Sequence, residues 1–272
     1  MKKLYFLILS LLIFISCNST KSSDTAIIED APDHETLKIN SKILGEERTI
    51  NIWLPPQYKD SETKFPVLYM PDGGIKEDFP HVAKTIAELV EAKKIFPIIL
   101  VGIENIERRK DLTGPTTVES DKKVAPVVGK SANFRKFIKS ELMPEISSKY
   151  RTTNEKGIIG ESLAGYFVME TLFLEPNTFD YYIAFDPSLW WNNHQLVENS
   201  HKYLRNYTTP KKLWFAGSQA TDIQPYTKEL STLLKINSYR NLDWNYSPEP
   251  NEKHETIFKA TKEKALLWTL GK

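Results

Sequence analysis

Gly157-Ile158-Ile159-Gly160-Glu161-Ser162-Leu163-Ala164-Gly165 runs from a short apolar strand segment straight into a helical stretch, Leu163 to about Leu174, with one serine at the junction. A strand-to-helix turn this tight pushes its central side chain outward and tolerates only small residues two places before and after, where Gly160 and Ala164 stand. A serine so placed has the position of a nucleophile. The helix beginning behind it offers unpaired N–H groups, that of Leu163 first, to a developing oxyanion. A serine capping a helix after a strand looks similar in isolation, so the surrounding chain has to decide.

Outward from this motif the chain alternates. Phe65 to Met70 and Pro97 to Ile103 are unbroken apolar runs, the pattern of strands covered on both faces. Between them His81 to Lys93 repeats Val82, Ile86, Leu89 and Val90 at helical spacing. Thr49 to Leu54 has period two and predicts a half-buried strand at an antiparallel edge. A helix is expected from Ala132 to about Ile146, kinked or broken at Pro144. After the motif come strands at Tyr181 to Phe185, Leu213 to Phe215 and Leu242 to Tyr246, with helices from Tyr226 to Ile236 and from about Thr256 to Leu270. Such alternation predicts an α/β fold, a mostly parallel sheet with helices on both faces. Glu104 to Lys130 shows little periodicity, and a connection that long inside a compact domain is expected to border a site.

In α/β hydrolases the catalytic partners follow in the order Ser, Asp or Glu, then His, each on a loop after a later strand. His34 and His81 precede Ser162, and His194 and His201 leave no room for an acid loop beyond the next strand. His254, between the last strand and the last helix, is the expected general base. Asp222 is the only carboxylate in the loop after Leu213 to Phe215 and is the first choice for the acid that orients the imidazole. Glu249 and Glu252 are alternatives, as is a Ser-His dyad.

Several strings carry a resemblance: Phe65 to Gly74 (FPVLYMPDGG), Val101 to Pro115, Phe137 to Thr152, Ile158 to Glu170, Phe185 to Asn193 (FDPSLWWNN) and the His254 loop. In this order they resemble the putative esterase group of α/β hydrolases. That group includes ferric-siderophore esterases, carbohydrate-linked acyl esterases, S-formylglutathione hydrolases and mycolyltransferases. The resemblance spans nearly all of residues 36–272 and implies an α/β-hydrolase fold and a serine esterase working through an acyl-enzyme on siderophore or glycan esters. It also places one oxyanion N–H in the Pro71-Asp72-Gly73-Gly74 turn, at Gly73 or Gly74, beside that of Leu163. The family often has an acid where Gln219 stands. Arg108 and Arg109, in the long connection, are candidates for holding an anionic substrate, and Trp190 and Trp191 for an aromatic wall. A catalytically silent siderophore- or glycan-binding protein, an acyltransferase and a thioesterase are the rival readings.

Composition narrows the rest. At about 150 residues per domain, 272 residues allow one large domain. Hydrophobic residues at 40% and charged residues at 26% exclude a disordered or polytopic membrane chain. A net charge of +1 leaves no basic excess for nucleic acid. Cys17 is the only cysteine, so no intramolecular disulfide and no cysteine-rich metal site forms. H-E-x-x-H, EF-hand and G-x-G-x-x-G motifs are absent, and Gly129-Lys130-Ser131 lacks the first P-loop glycine because Val124 occupies its place, so no metal or cofactor is expected. Met1 to Cys17 combines Lys2 and Lys3, an apolar run and Ser16 before the cysteine, and it resembles a bacterial lipoprotein signal with Cys17 as the acylated residue. Residues 18–35 read as a flexible tether and residues 36–272 as the esterase domain. The expectation is a monomer anchored by lipid in the bacterial cell envelope, its membrane contact confined to that anchor.

Overall fold

The computed structural model describes residues 31–59, 62–124, 127–204, 207–237 and 239–272. The apolar runs become strands: β1 (Glu35–Ser41), β2 (Glu46–Trp53), β3 (Phe65–Pro71), β4 (Ile99–Ile103), β5 (Thr152–Glu161), β6 (Tyr181–Phe185), β7 (Lys211–Gly217) and β8 (Leu242–Pro248). They form one sheet in the order β1-β2-β4-β3-β5-β6-β7-β8. β2 pairs antiparallel with both β1 and β4, and every other ladder is parallel. The period-two segment is therefore the second strand from an antiparallel edge. The outermost strand, β1, carries only Leu37 and Ile39 at period two, too short a pattern to read from sequence.

The helices are α1 (Phe79–Glu91), α2 (Arg108–Leu112), α3 (Glu119–Val124), α4 (Ser131–Phe137), α5 (Met143–Lys149), α6 (Leu163–Leu174), α7 (Gln195–Glu198), α8 (Ser200–Tyr203), α9 (Gln224–Ile236) and α10 (His254–Leu270). Alternate strand residues feed two cores, one on each face of the sheet. Val67, Tyr69, Val101 and Ile158 pack with α4, α5 and α6, whereas Leu68, Met70, Leu100 and Ile159 pack with α1 and α10. This double coverage is why β3 and β4 are unbroken apolar runs.

The kink expected at Pro144 takes a specific form. A π-helical turn, Ile138–Leu142, joins α4 to α5, and the Met143 N–H reaches back to the Ile138 carbonyl. Widening the helix just before a proline removes the clash between its ring and the preceding turn, so the chain continues to Lys149.

The long connection after β4 folds into α2 and α3 and is tied to the sheet by charge. Arg48 of β2 and Asp111 of α2 pair with both side chains fully buried, and Glu46 also accepts from Arg48. Removing one partner of such a pair strands the other charge in the interior. Asp111→Ala is expected to destabilise the fold by about 3 kcal/mol, partly relieved by Glu46; urea unfolding followed by tryptophan fluorescence checks this.

Candidate active site

The carboxyl ends of the parallel strands converge, which is where open α/β sheets bind ligands. β5 ends at Glu161, and Ser162 turns the chain into α6 with φ 59 and ψ −118. The turn is close: a Cβ on Gly160 would lie 2.8 Å from the Cβ of Ala164, so the small residues flanking the serine meet each other directly. The Ser162 N–H donates to the Phe185 carbonyl at 3.0 Å, and its own carbonyl accepts from Tyr166 at 2.8 Å and Ser188 at 3.0 Å.

Ser162 Oγ lies 3.0 Å from His254 Nε2, the first residue of α10. His254 Nδ1 lies 3.0 Å from Oδ2 of Asp186. With Nδ1–H donated to the carboxylate, Nε2 carries a lone pair and can accept the serine proton. The Asp186 side chain is 0% exposed. Its Oδ1 accepts the Ser218 N–H at 2.6 Å and its Oδ2 accepts the Ser218 hydroxyl at 2.5 Å. The hydrogen bond that Nδ1–H donates to Asp186 raises the His254 pKa; burial opposes this, and the charges of Glu161, Asp186 and Asp222 add to it.

The structure sets a different carboxylate against His254 from the one the sequence suggests. Asp222 is exposed and bears on His254 only through its charge. The two alternatives are engaged elsewhere: Glu249 accepts from Ser247 at 2.6 Å and Lys264 at 2.9 Å, and Glu252 from Thr256 at 2.7 Å. Asp186 leaves β6, the strand adjacent to β5, and so reaches the imidazole directly, while Ser218 leaves β7 and serves as its hydrogen-bond donor. The sequence held a signal for this, a carboxylate immediately past the end of the Tyr181 to Phe185 run and next in order after the serine strand.

The loop after β3 is also arranged differently from expectation. The Gly73 N–H donates to Ile103 at 2.9 Å, and a Cβ there would lie 2.3 Å from the Gly102 Cα, so this glycine serves the close approach of two loops. The Gly74 N–H donates to Glu77 Oε2 at 2.7 Å. Neither amide is open to an oxyanion in this arrangement. Leu163, by contrast, heads α6, where the first N–H groups have no intrahelical acceptor.

Arg108 is paired within the protein along one edge. Its Nε and Nη2 grip both oxygens of Asp72 at 2.7 to 3.0 Å, and Nη2 lies 3.4 Å from the Glu161 carbonyl. Asn105 bridges Asp72 and Glu77, so the long connection does border the site. Arg109 is exposed. Trp191 is buried, not a wall: its Nε1 donates to the Gly114 carbonyl at 3.0 Å and holds the long connection against the loop after β6. Trp190 is half-buried with its ring 5.9 Å from that of Trp191.

Glu161 was not anticipated as a site residue. Its Oε1 lies 3.8 Å from His254 Nδ1, and burial pushes its pKa up to about 7, with His254 and Arg108 pulling it down and Asp78 and Asp72 raising it further. Among the described residues no group of three or more His, Cys, Asp or Glu side chains could hold a metal ion.

Residues 41–260 match the family model described as putative esterase. The ferri-bacillibactin esterase BesA of Bacillus subtilis is 25% identical over 268 residues, covering 88% of this chain and 90% of the relative. The siderophore triacetylfusarinine C esterase of Aspergillus fumigatus is 27% identical over 165 residues, 55% of this chain and 54% of the relative. Among solved structures, the BES protein from Bacillus cereus has a TM-score of 0.78 at 25% identity, with 88% of this chain and 97% of that one covered. The IroE-like serine hydrolase from Shewanella oneidensis has a TM-score of 0.78 at 24% identity, with 87% and 79% covered. With a serine at the end of β5, a histidine at the head of α10 and a family match over most of its length, the chain belongs to the putative esterase family of α/β hydrolases and is a carboxylic ester hydrolase.

Proposed function

We propose that this protein hydrolyses the ester bonds of siderophores through a Ser162–His254–Asp186 triad and an acyl-enzyme. The observation that carries the mechanism is the unbroken line from Ser162 Oγ through the imidazole to Asp186, each step 3.0 Å. His254 Nε2 takes the hydroxyl proton as Ser162 Oγ bonds to the ester carbonyl carbon. The carbonyl oxygen becomes an oxyanion facing the Leu163 N–H. Collapse breaks the bond to the alcohol, which leaves with the proton from Nε2. Water then repeats the sequence and frees the acid and Ser162. Asp186 holds the imidazole in the productive tautomer and stabilises the imidazolium. The Gly74 amide joins the oxyanion site only if it exchanges Glu77 for the substrate oxygen.

The substrate class rests on the names of the relatives, which act on ferri-bacillibactin and triacetylfusarinine C. The test is incubation of residues 18–272 with each of these siderophores, with and without iron, and mass spectrometry for products heavier by one water. Ser162→Ala is expected to lower turnover about 10⁶-fold and to abolish fluorophosphonate labelling. Asp186→Asn is expected to cost about 10⁴-fold in kcat, whereas Asp222→Asn changes the rate by no more than about threefold because its charge acts through solvent. The reverse ranking of the two aspartates would return the acid to the loop after β7.

The lipid anchor and the cell-envelope location also belong to this proposal, since Met1 to Cys17 lie outside the described residues. No helix among the described residues is long and apolar enough to cross a membrane. Expressed from the full sequence in a bacterial host fed a palmitate analogue, the protein should be labelled and the Cys17→Ser variant should not; equal labelling of the two would refute acylation at this cysteine.

A further inference from the structure

We infer that Glu161 is a positioning residue that supports the His254 imidazolium alongside Asp186, so that ester turnover draws on two carboxylates rather than one. This rests on the Ser162–His254–Asp186 reading. Both carboxylates face the same ring nitrogen, Asp186 Oδ2 at 3.0 Å and Glu161 Oε1 at 3.8 Å. The shorter contact takes the Nδ1–H. The longer one is beyond hydrogen-bond reach and acts as charge alone.

The two acids differ in how they are held. Asp186 is sealed in and bonded twice by Ser218. Glu161 keeps 18% of its side chain exposed, and among the described residues no donor bonds its carboxylate. The charged groups around it are Asp72 and Asp78 in the loop before α1, Arg108 of α2 and His254 of α10, with Asp186 and Asp222 beyond the imidazole. Arg108 is engaged by Asp72, and Asp78 pairs with His81, whose other ring nitrogen meets Lys262. Glu161 thus sits in a buried and largely negative setting in which its carboxylate charge is poorly balanced until a positive charge appears next to it. That charge appears on His254 when the serine proton is transferred. An interaction that strengthens only then lowers the barrier without tightening substrate binding.

A buried carboxylate with a raised pKa also costs stability. With the folded pKa near 7 and an ordinary value of 4.5, Glu161 favours the fold most below pH 4.5, and this contribution is lost as pH rises through 7.

The test is the Glu161→Gln variant, assayed with p-nitrophenyl acetate across the pH range beside the wild type. Removing the negative charge lowers the affinity of His254 for its proton. The acid limb of kcat/KM should therefore move about one pH unit lower while plateau kcat falls about tenfold with KM unchanged. A proton–nitrogen NMR titration of His254 should show the same downward shift, and this readout needs no turnover. The variant should also unfold at higher denaturant than wild type at pH 8 and at equal denaturant at pH 4. A pH profile and a His254 titration that superpose on wild type would overturn the inference. Loss of all serine dependence in the wild type would instead sink the triad reading, leaving the NMR shift to decide the role of Glu161.

Discussion

The left-handed turn at Ser162 is the constraint on which the site depends. A non-glycine residue at φ 59 is unfavourable by about 1–2 kcal/mol and persists only where its neighbours hold it. Here the next strand does so, because the Ser162 N–H is bonded to the last carbonyl of β6. The same arrangement repeats across the sheet. Asp186, itself at φ 41, donates its N–H to Ala216 of β7 at 3.1 Å, and Glu249 past β8 donates to Gly217 at 2.8 Å. Each loop leaving a strand is thus pinned to the end of a neighbour. Ser162, Asp186 and the loop that leads to His254 are positioned by one chain of backbone bonds, so a local strain is held by the regular sheet beneath it.

That linkage explains which parts of the site were legible in the sequence. Ser162 could be read because its requirements are local: a strand, a tight turn, small flanking residues and a helix. His254 could be read because chain order eliminates His34 and His81 and because it alone lies between the last strand and the last helix; with the acid at Asp186, order by itself does not exclude His194 and His201. The acid could not be found in the same way. Whether a carboxylate reaches an imidazole depends on which strand end lies across from it, and Asp186 and Asp222 both follow strands. The difference is tertiary: Asp186 leaves the strand next to the serine and is buried against Ser218, while Asp222 sits farther out in solvent. Trp191 shows the same gap. An aromatic side chain in a loop reads alike whether it walls a site or fills a core, and only its bond to Gly114 decides.

The sheet was legible for a different reason. Strands covered on both faces have to be apolar throughout, so β3, β4 and β6 announce themselves, whereas β1 at the rim is half in solvent and carries too little pattern. The connection between β4 and α4 lies between these cases. Its helices are short, and charge holds it in place more than apolar periodicity does: Asp111 to Arg48 at one end of α2, Arg108 to Asp72 at the other, and Asp121 to the backbone of Asn192 farther on. A pattern search for buried apolar faces passes over a segment tied down in this way.

Those ties bear on what the site can select. Asp72 takes up the Nε and Nη2 edge of the Arg108 guanidinium, which leaves that cation balanced by the protein's own acids. Glu161, Asp78 and Glu77 lie nearby, with Glu77 raised in pKa by burial and holding the Gly74 amide. A desolvated site that concentrates carboxylates around its base stabilises positive charge on the imidazole more than negative charge on a ligand. The opposing need, a donor for the oxyanion of the proposed mechanism, would fall on the backbone at the head of α6, where the first N–H groups lack intrahelical acceptors and add no formal charge. In the mechanism proposed above the division is therefore physical: side chains of this site hold the proton that moves, and its main chain meets the oxygen that gains the electrons.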